Sequence, residues 1–215
     1  MQQILRVTWQ VAPLQSPLVW RHCTRCKSSS PFRCSMKFRA NAQKKRIDVW
    51  LIYRCAGCDE TWNMPVFERA ALGDIAQDEF QAIARNDPAL AARYAFDRER
   101  LARHASRIDD SAGVTIRKTR LNGDQHAATA IAISLALAWP LRVRLDRLLS
   151  RELGLSRSQL VMLHDRGVLL VSQSSKALRA PPIDGQSIAI DLSDGAVDPR
   201  LAATIRRRAA QTSSD

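Results

Sequence analysis

The chain has no apolar run long enough to cross a bilayer as a helix. Its longest, Ala127 to Trp139, falls short of the roughly 20 residues that a spanning helix needs. That run also alternates: Ile131, Ile133, Leu135, Leu137 and Trp139 share one parity, and Ala130, Ala132, Ser134, Ala136 and Ala138 the other. Period two predicts a strand with one bulky and one small-residue face. The opening MQQILRVTWQ lacks the basic start and apolar run of a secretory signal, so a soluble cytoplasmic protein is expected, with no membrane partner. Catalytic motifs are missing too. The four histidines, His22, His104, His126 and His164, lie in four separate segments, and no Gly-rich phosphate loop or His-Glu-x-x-His is present. No enzyme is expected. Acidic residues are scarce: 21 Asp and Glu face 33 Lys and Arg, for a net charge of +12. The resulting pI of about 10.4 points to polyanions, nucleic acid first and an anionic membrane surface second. With 46% hydrophobic and 25% charged residues, the chain can bury a core and is not globally disordered.

What is present is organised around two Cys-x-x-Cys pairs, Cys23 with Cys26 and Cys55 with Cys58. Two thiolates two residues apart fit on one tight turn and fill half of a tetrahedral metal site; a second such knuckle fills the rest. The stretch between them, Lys27 to Arg54, suits a β-hairpin that goes out and returns, the zinc-ribbon arrangement. Disulfides would need an oxidising compartment, and a redox Cys-x-x-Cys would need a helix start in a βαβ unit, whereas both pairs sit in a β-rich setting. The expected cofactor is structural Zn²⁺ on four thiolates, which leaves no open position for catalytic water. Cys34 reads as a free core thiol, and His22 as a surface residue beside the knuckle.

Along the chain, Leu5, Val7, Trp9 and Val11 alternate with polar residues, predicting a strand. FRCSMKFRA and RIDVWLIYR read as strands joined by a turn with a basic tip, Lys44, Lys45 and Arg46. That tip either touches phosphate or protects a sheet edge from aggregation. Trp62 is expected to pack on the knuckle. Residues 74–106 read as helical, with Asp87-Pro88 as cap and first turn and Leu90, Tyr94, Leu101, Ala91, Ala95, Ala102 and Ala105 as an apolar stripe. Glu99 and Arg103 form an i,i+4 pair on the solvated side. SRIDDSAG reads as a linker and VTIRKTRL as a strand.

The second informative stretch is PLRVRLDRLLSRELGLSRSQLVMLHDRGVLLVS. Leu145, Leu148 and Leu149 mark the buried face of a first helix, and Arg144, Arg147 and Arg151 form a basic stripe on another. Ser156 and Gln159 make a capping box, with Leu155 and Leu160 as its hydrophobic staple. Arg157 then falls in the first turn of a second helix, and Gly167 stops it. Asp198-Pro199 starts a last helix, leaving IRRRAAQTSSD as a basic, frayed end.

This stretch resembles the RNA-binding domain named after ribosomal small-subunit protein four. The resemblance is carried by Arg144-Leu145-Asp146, Ser156-Arg157, Gly167-Val168 and Asp184-Gly185, over about a quarter of the chain. It departs where that family has Asn-Gly and a basic residue, because here the chain reads Ser172-Gln173-Ser174-Ser175-Lys176. The resemblance implies backbone contacts to a structured RNA, ribosomal or transfer RNA, from Arg144, Arg147, Arg151, Ser156, Arg157 and Lys176. The whole chain is similar to an uncharacterised bacterial family, domain-of-unknown-function family ten sixty-two, on KFRANAQKKRIDVWLIYRC, CDETWN and YAFD; that label supplies no activity.

The expected class is therefore α+β: a zinc-ribbon-like β module (1–69), a helical spacer and linker (70–125), a strand plus RNA-binding-type module (126–192) and a basic C-terminal tail (193–215). The net charges of these four segments are +8, 0, +3 and +1, so the basic excess falls on the two modules. The expected function is non-enzymatic RNA binding. The rivals are a DNA-binding zinc-ribbon regulator and a protein–protein adaptor with purely structural zinc.

Overall fold

The computed structural model describes residues 3–110, 113–173, 177–193, 195 and 197–211. In chain order the strands and helices are β1 (Ile4–Pro13), β2 (Leu18–Cys23), β3 (Ser28–Gln43), β4 (Arg46–Cys55), β5 (Thr61–Ala71), α1 (Gln77–Ala84), α2 (Pro88–Ala95), α3 (Arg98–Ala102), β6 (Arg107–Asp109), β7 (Val114–Asn122), β8 (Ala130–Leu137), α4 (Leu145–Leu153), α5 (Arg157–Asp165), β9 (Leu169–Val171), β10 (Ser187–Asp191) and α6 (Pro199–Ala210). Two five-stranded sheets with helices make the fold α+β. Among the described residues no helix is long and apolar enough to cross a membrane.

The strands divide into two compact units, and the division differs from the expected four segments. Gln15–Ala112 is an inserted unit; Met1–Leu14 and Gly113–Asp215 together form a discontinuous one. The reason is the first strand. Leu5, Val7, Trp9 and Val11 are buried as the alternation predicts, but their partners lie far along the chain. β1 pairs in parallel with β8 (Leu5↔Ile131, Val7↔Ile133, Trp9↔Leu135) and antiparallel with β7 (Val11↔Ile116). The sheet order is β7-β1-β8-β10-β9, so β1 belongs with the C-terminal residues and not with the cysteines. Gly123, at φ +90 in the turn after β7, admits no side chain, because a Cβ there would lie 2.5 Å from the Ile4 carbonyl oxygen.

The inserted unit is an antiparallel sheet of order β5-β4-β3-β2-β6. Ile47, Val49, Leu51, Tyr53 and Cys55 of β4 are all buried, and α1, α2 and α3 share their core through Ile83, Leu90, Tyr94 and Leu101. The expected spacer is thus the cover of the sheet. Asp87 caps α2 by accepting from the Ala89 and Leu90 N–H groups. The ion pairs at α3 are Arg100 with the capping Asp97 and Arg98 with Asp110; among the described residues none joins Glu99 to Arg103. Arg107–Asp109, expected in a linker, forms the edge strand β6 against β2.

Residues 205–210, expected in the frayed end, are likewise helical, and residues 212–215 lie outside the described residues. Asp198 caps α6, whose Ala202, Ile205 and Ala209 enter the core of the discontinuous unit. The last carbonyls of a helix lack intrahelical donors and carry partial negative charge. Here Trp9 Nε1–H donates to Ala209 O at 2.9 Å and Lys118 Nζ to Arg208 O at 2.8 Å. Lys118 is 7% exposed, sits 4.8 Å from the centre of the Trp9 ring and pairs with Glu152 of α4 at 2.8 Å. Burial pushes the Glu152 carboxyl up, but the Lys118 and Arg151 cations outweigh it and hold it below the usual range.

Removing one partner of a buried ion pair strands the other charge. Lys118→Ala is expected to cost about 3 kcal/mol of unfolding free energy in urea titrations. A depressed carboxylate pKa stabilises above the unfolded value of about 4.3 and stops doing so as pH falls through the folded value. The gap between wild type and K118A should therefore narrow below about pH 4.

Candidate metal centre and basic surface

Cys23 ends β2 and Cys55 ends β4, with β3 between them. Cys55 pairs across from Phe32, while Cys23 pairs four residues earlier in β3, at Ser28. On a flat sheet that stagger would separate them by roughly 14 Å along the strands. Yet the four sulfurs of Cys23, Cys26, Cys55 and Cys58 all lie within 4.8 Å of one another, so the β2–β3 end curls over the second knuckle. Each knuckle closes on a left-handed residue directly after its second cysteine, Lys27 at φ 54 and Asp59 at φ 60. The second is tied by Asp59 N–H donating to Cys55 O at 3.0 Å and by Ala56 N–H donating to Pro31 O at 2.8 Å.

The geometry fits a metal ion. A tetrahedral ion with metal–sulfur bonds of about 2.3 Å needs sulfurs about 3.8 Å apart; Cys23 and Cys58 stand at 3.6 Å, and Cys26 and Cys55 at 3.8 Å. Backbone donors are aimed at the sulfurs. Burial pushes the Cys55 thiol up, but the N–H groups of Gly57 and Cys58 help to bring it down to about 7. The Glu60 N–H acts the same way on Cys58, but burial and the three neighbouring thiols win and push it up to about 12. A cation among them reverses that repulsion, since the thiolate is the ligand form. Arg25 links the knuckles by donating to Cys58 O at 3.3 Å. Trp62 meets Tyr53 at 5.1 Å and Phe32, the partner of Cys55, at 6.2 Å between ring centres, with the Arg21 guanidinium 4.2 Å over its ring.

Cys34 stands apart from this cluster. It lies at a bulge of β3, where Met36 takes φ 58, and burial pushes its thiol up to about 11. His22 is exposed. His164 is half-buried and its Nδ1 lies 3.0 Å from the Leu169 carbonyl oxygen.

The capping box at Ser156 and Gln159 forms as expected, with Ser156 Oγ accepting from Gln159 N–H and the Gln159 side chain accepting from Ser156 N–H. The arginine stripe is split. Arg144 and Arg157 line one open concavity of about 680 Å³ beside α4 and α5, together with Arg166 and Arg179. Arg147 is exposed and does not line it. Arg151, roughly 10 Å further along the helix than Arg144, turns instead to Glu152 and to the Val114 carbonyl. Arg144 is itself held by Asp146 through two nitrogens. Lys176 lies outside the described residues. Sequence reasoning missed Arg166 and Arg179. Arg166, at the C-cap of α5, lies half a turn round the helix from Arg157 and reaches the concavity along the row of Ser158 and Met162; Arg179 arrives from a distant turn.

Residues 40–175 match the family model described as Protein of unknown function (DUF1062). The chain belongs to this family. No curated protein and no solved structure matches it. The DUF1062 match includes Cys55, Cys58 and the whole α4–α5 pair and starts after Cys23 and Cys26.

The cluster makes a direct prediction. The purified protein should carry one thiolate-bound metal ion per chain, and Cys55→Ser should carry almost none by elemental analysis. Hydrogen exchange in C55S should speed up around residues 23–28 and 55–61 and stay slow in β1 and β8.

Proposed function

We propose that this chain is a non-enzymatic RNA-binding protein whose four-cysteine cluster holds a structural zinc ion. The observation that carries the reading is the arginine concavity beside α4 and α5, where Arg144, Arg157, Arg166 and Arg179 gather against Asp146 and Asp165. It sits in the unit whose 16 Lys and Arg outnumber its 9 Asp and Glu. The helix–helix–strand order with a capped second helix and a glycine stop at Gly167 supports the resemblance to the ribosomal RNA-binding domain.

A-form RNA hides the base edges of its major groove, so such a surface reads backbone and shape. Arg157, Arg166 and Arg179 are freer to meet phosphate than Arg144, which is shared with Asp146. Ser156 acts by positioning Arg157 at the helix start. Zinc suits four sulfur donors in a tetrahedron; with all four positions filled by protein, its role is to fix the knuckles. Free thiols and a basic surface suit the reducing, RNA-rich cytoplasm.

Binding of structured RNA should weaken steeply with salt, by about 0.9 in log–log slope per phosphate neutralised, the B-form duplex value. Arg157→Glu with Arg179→Glu should flatten that slope by one to two such contacts in filter-binding titrations, and competing duplex DNA should displace RNA poorly. An unchanged slope rejects this surface.

A further inference from the structure

We infer that a second cavity of the discontinuous unit, between α6 and the β7–β8 connection, binds a phosphate group. It encloses about 490 Å³ and is lined by Gln125, His126, Ala203, Thr204, Arg206, Arg207 and Gln211. Three of these, 203, 204 and 207, share one face of α6 at helical spacing, and Gln211 follows as its C-cap. Gln125 and His126 form the facing wall. Arg206 ties the two walls together, donating from Nε to Ala128 O at 2.7 Å, which fixes its guanidinium at the rim.

The lining is rich in donors and holds no carboxylate. Two guanidinium groups, the His126 imidazole and two side-chain amides face the space, and among the described residues no ion pair engages Arg206 or Arg207. Asp124, the nearest acid in the connection, accepts from the His126 N–H at 2.9 Å and is absent from the lining. The Thr204 hydroxyl donates to Arg200 O, so it shapes the wall and supplies no proton to a ligand. The C-terminal end of α6 opposes an anion with about half a charge; two guanidinium charges exceed it. Arginine's planar fork matches phosphate oxygens two at a time. By contrast, the α4–α5 concavity contains Asp146 and Asp165.

A phosphate could come from a small phosphorylated molecule or from a nucleic-acid backbone, and one experiment separates them. The full chain is titrated with inorganic pyrophosphate while amide resonances are followed by NMR. Saturable shifts at Gln125, His126, Thr204 and Arg207 are expected, and Arg207→Gln, an exposed position, should weaken the affinity roughly tenfold or more. Circular dichroism checks that R207Q stays folded; if it does not, His126→Gln replaces it with the same expected direction. Shifts absent at millimolar pyrophosphate, or identical affinity in a folded variant, overturn the site. Added structured RNA that abolishes the pyrophosphate shifts identifies the backbone as the ligand; shifts that persist identify a small phosphorylated molecule. RNA affinity unaffected at the α4–α5 surface would end the function proposed above and leave this site standing.

Discussion

The pairing of β1 between β7 and β8 is the constraint on which the rest depends. Residues 4–11 lie against residues 130–137 in parallel register, with more than a hundred residues intervening. The entropy of closing such a loop grows only slowly with its length, so the insertion is tolerable if its ends meet. They do: Pro13 pairs with Val114, and Leu14 N–H donates to Gly113 O at 2.9 Å. The inserted unit then needs a core of its own, and its β-sheet with α1 to α3 supplies one. Contacts this distant in sequence are slow to form, while the inserted hairpins β2–β3 and β3–β4 are local.

The positive charge is used in two ways, and the structure separates them. Lys118, Arg100 and Arg151 donate to backbone carbonyls within their own units. They stand in for missing helix or strand donors, and much of their charge is spent on internal dipoles. Arg147, Arg157, Arg166, Arg179 and Arg207 face outward or into open concavities. A net charge of +12 therefore overstates the positive charge that is free to face outward.

Much of the local structure was legible. Strict alternation marked β1 and β8; Asp-Pro pairs marked the starts of α2 and α6; Ser156 and Gln159 marked α5. Each of these signals depends on neighbours within one turn or one strand. The clustering of the four cysteines was legible for the same reason, since each knuckle is a four-residue object. What escaped was set by partners far away. Lys118 shares its inward parity with Ile116, so its burial was implied by the pattern, but Glu152 as its counter-ion was not. The basic segment Arg206 to Arg208 resembled a loose tail because its anchors, Trp9 and Lys118, lie in β1 and β7.

The sequence by itself determined the class of elements, the thiolate set and the basic character, because spacing, capping and charge are properties of short segments. Tertiary structure alone decided that the first strand joins the last hundred residues, that Arg151 leaves the surface it was expected to share with Arg157, and that two separate cationic concavities exist. Sheet partners and cavity walls are chosen by burial across the whole chain, and no local pattern encodes which distant face a side chain will meet.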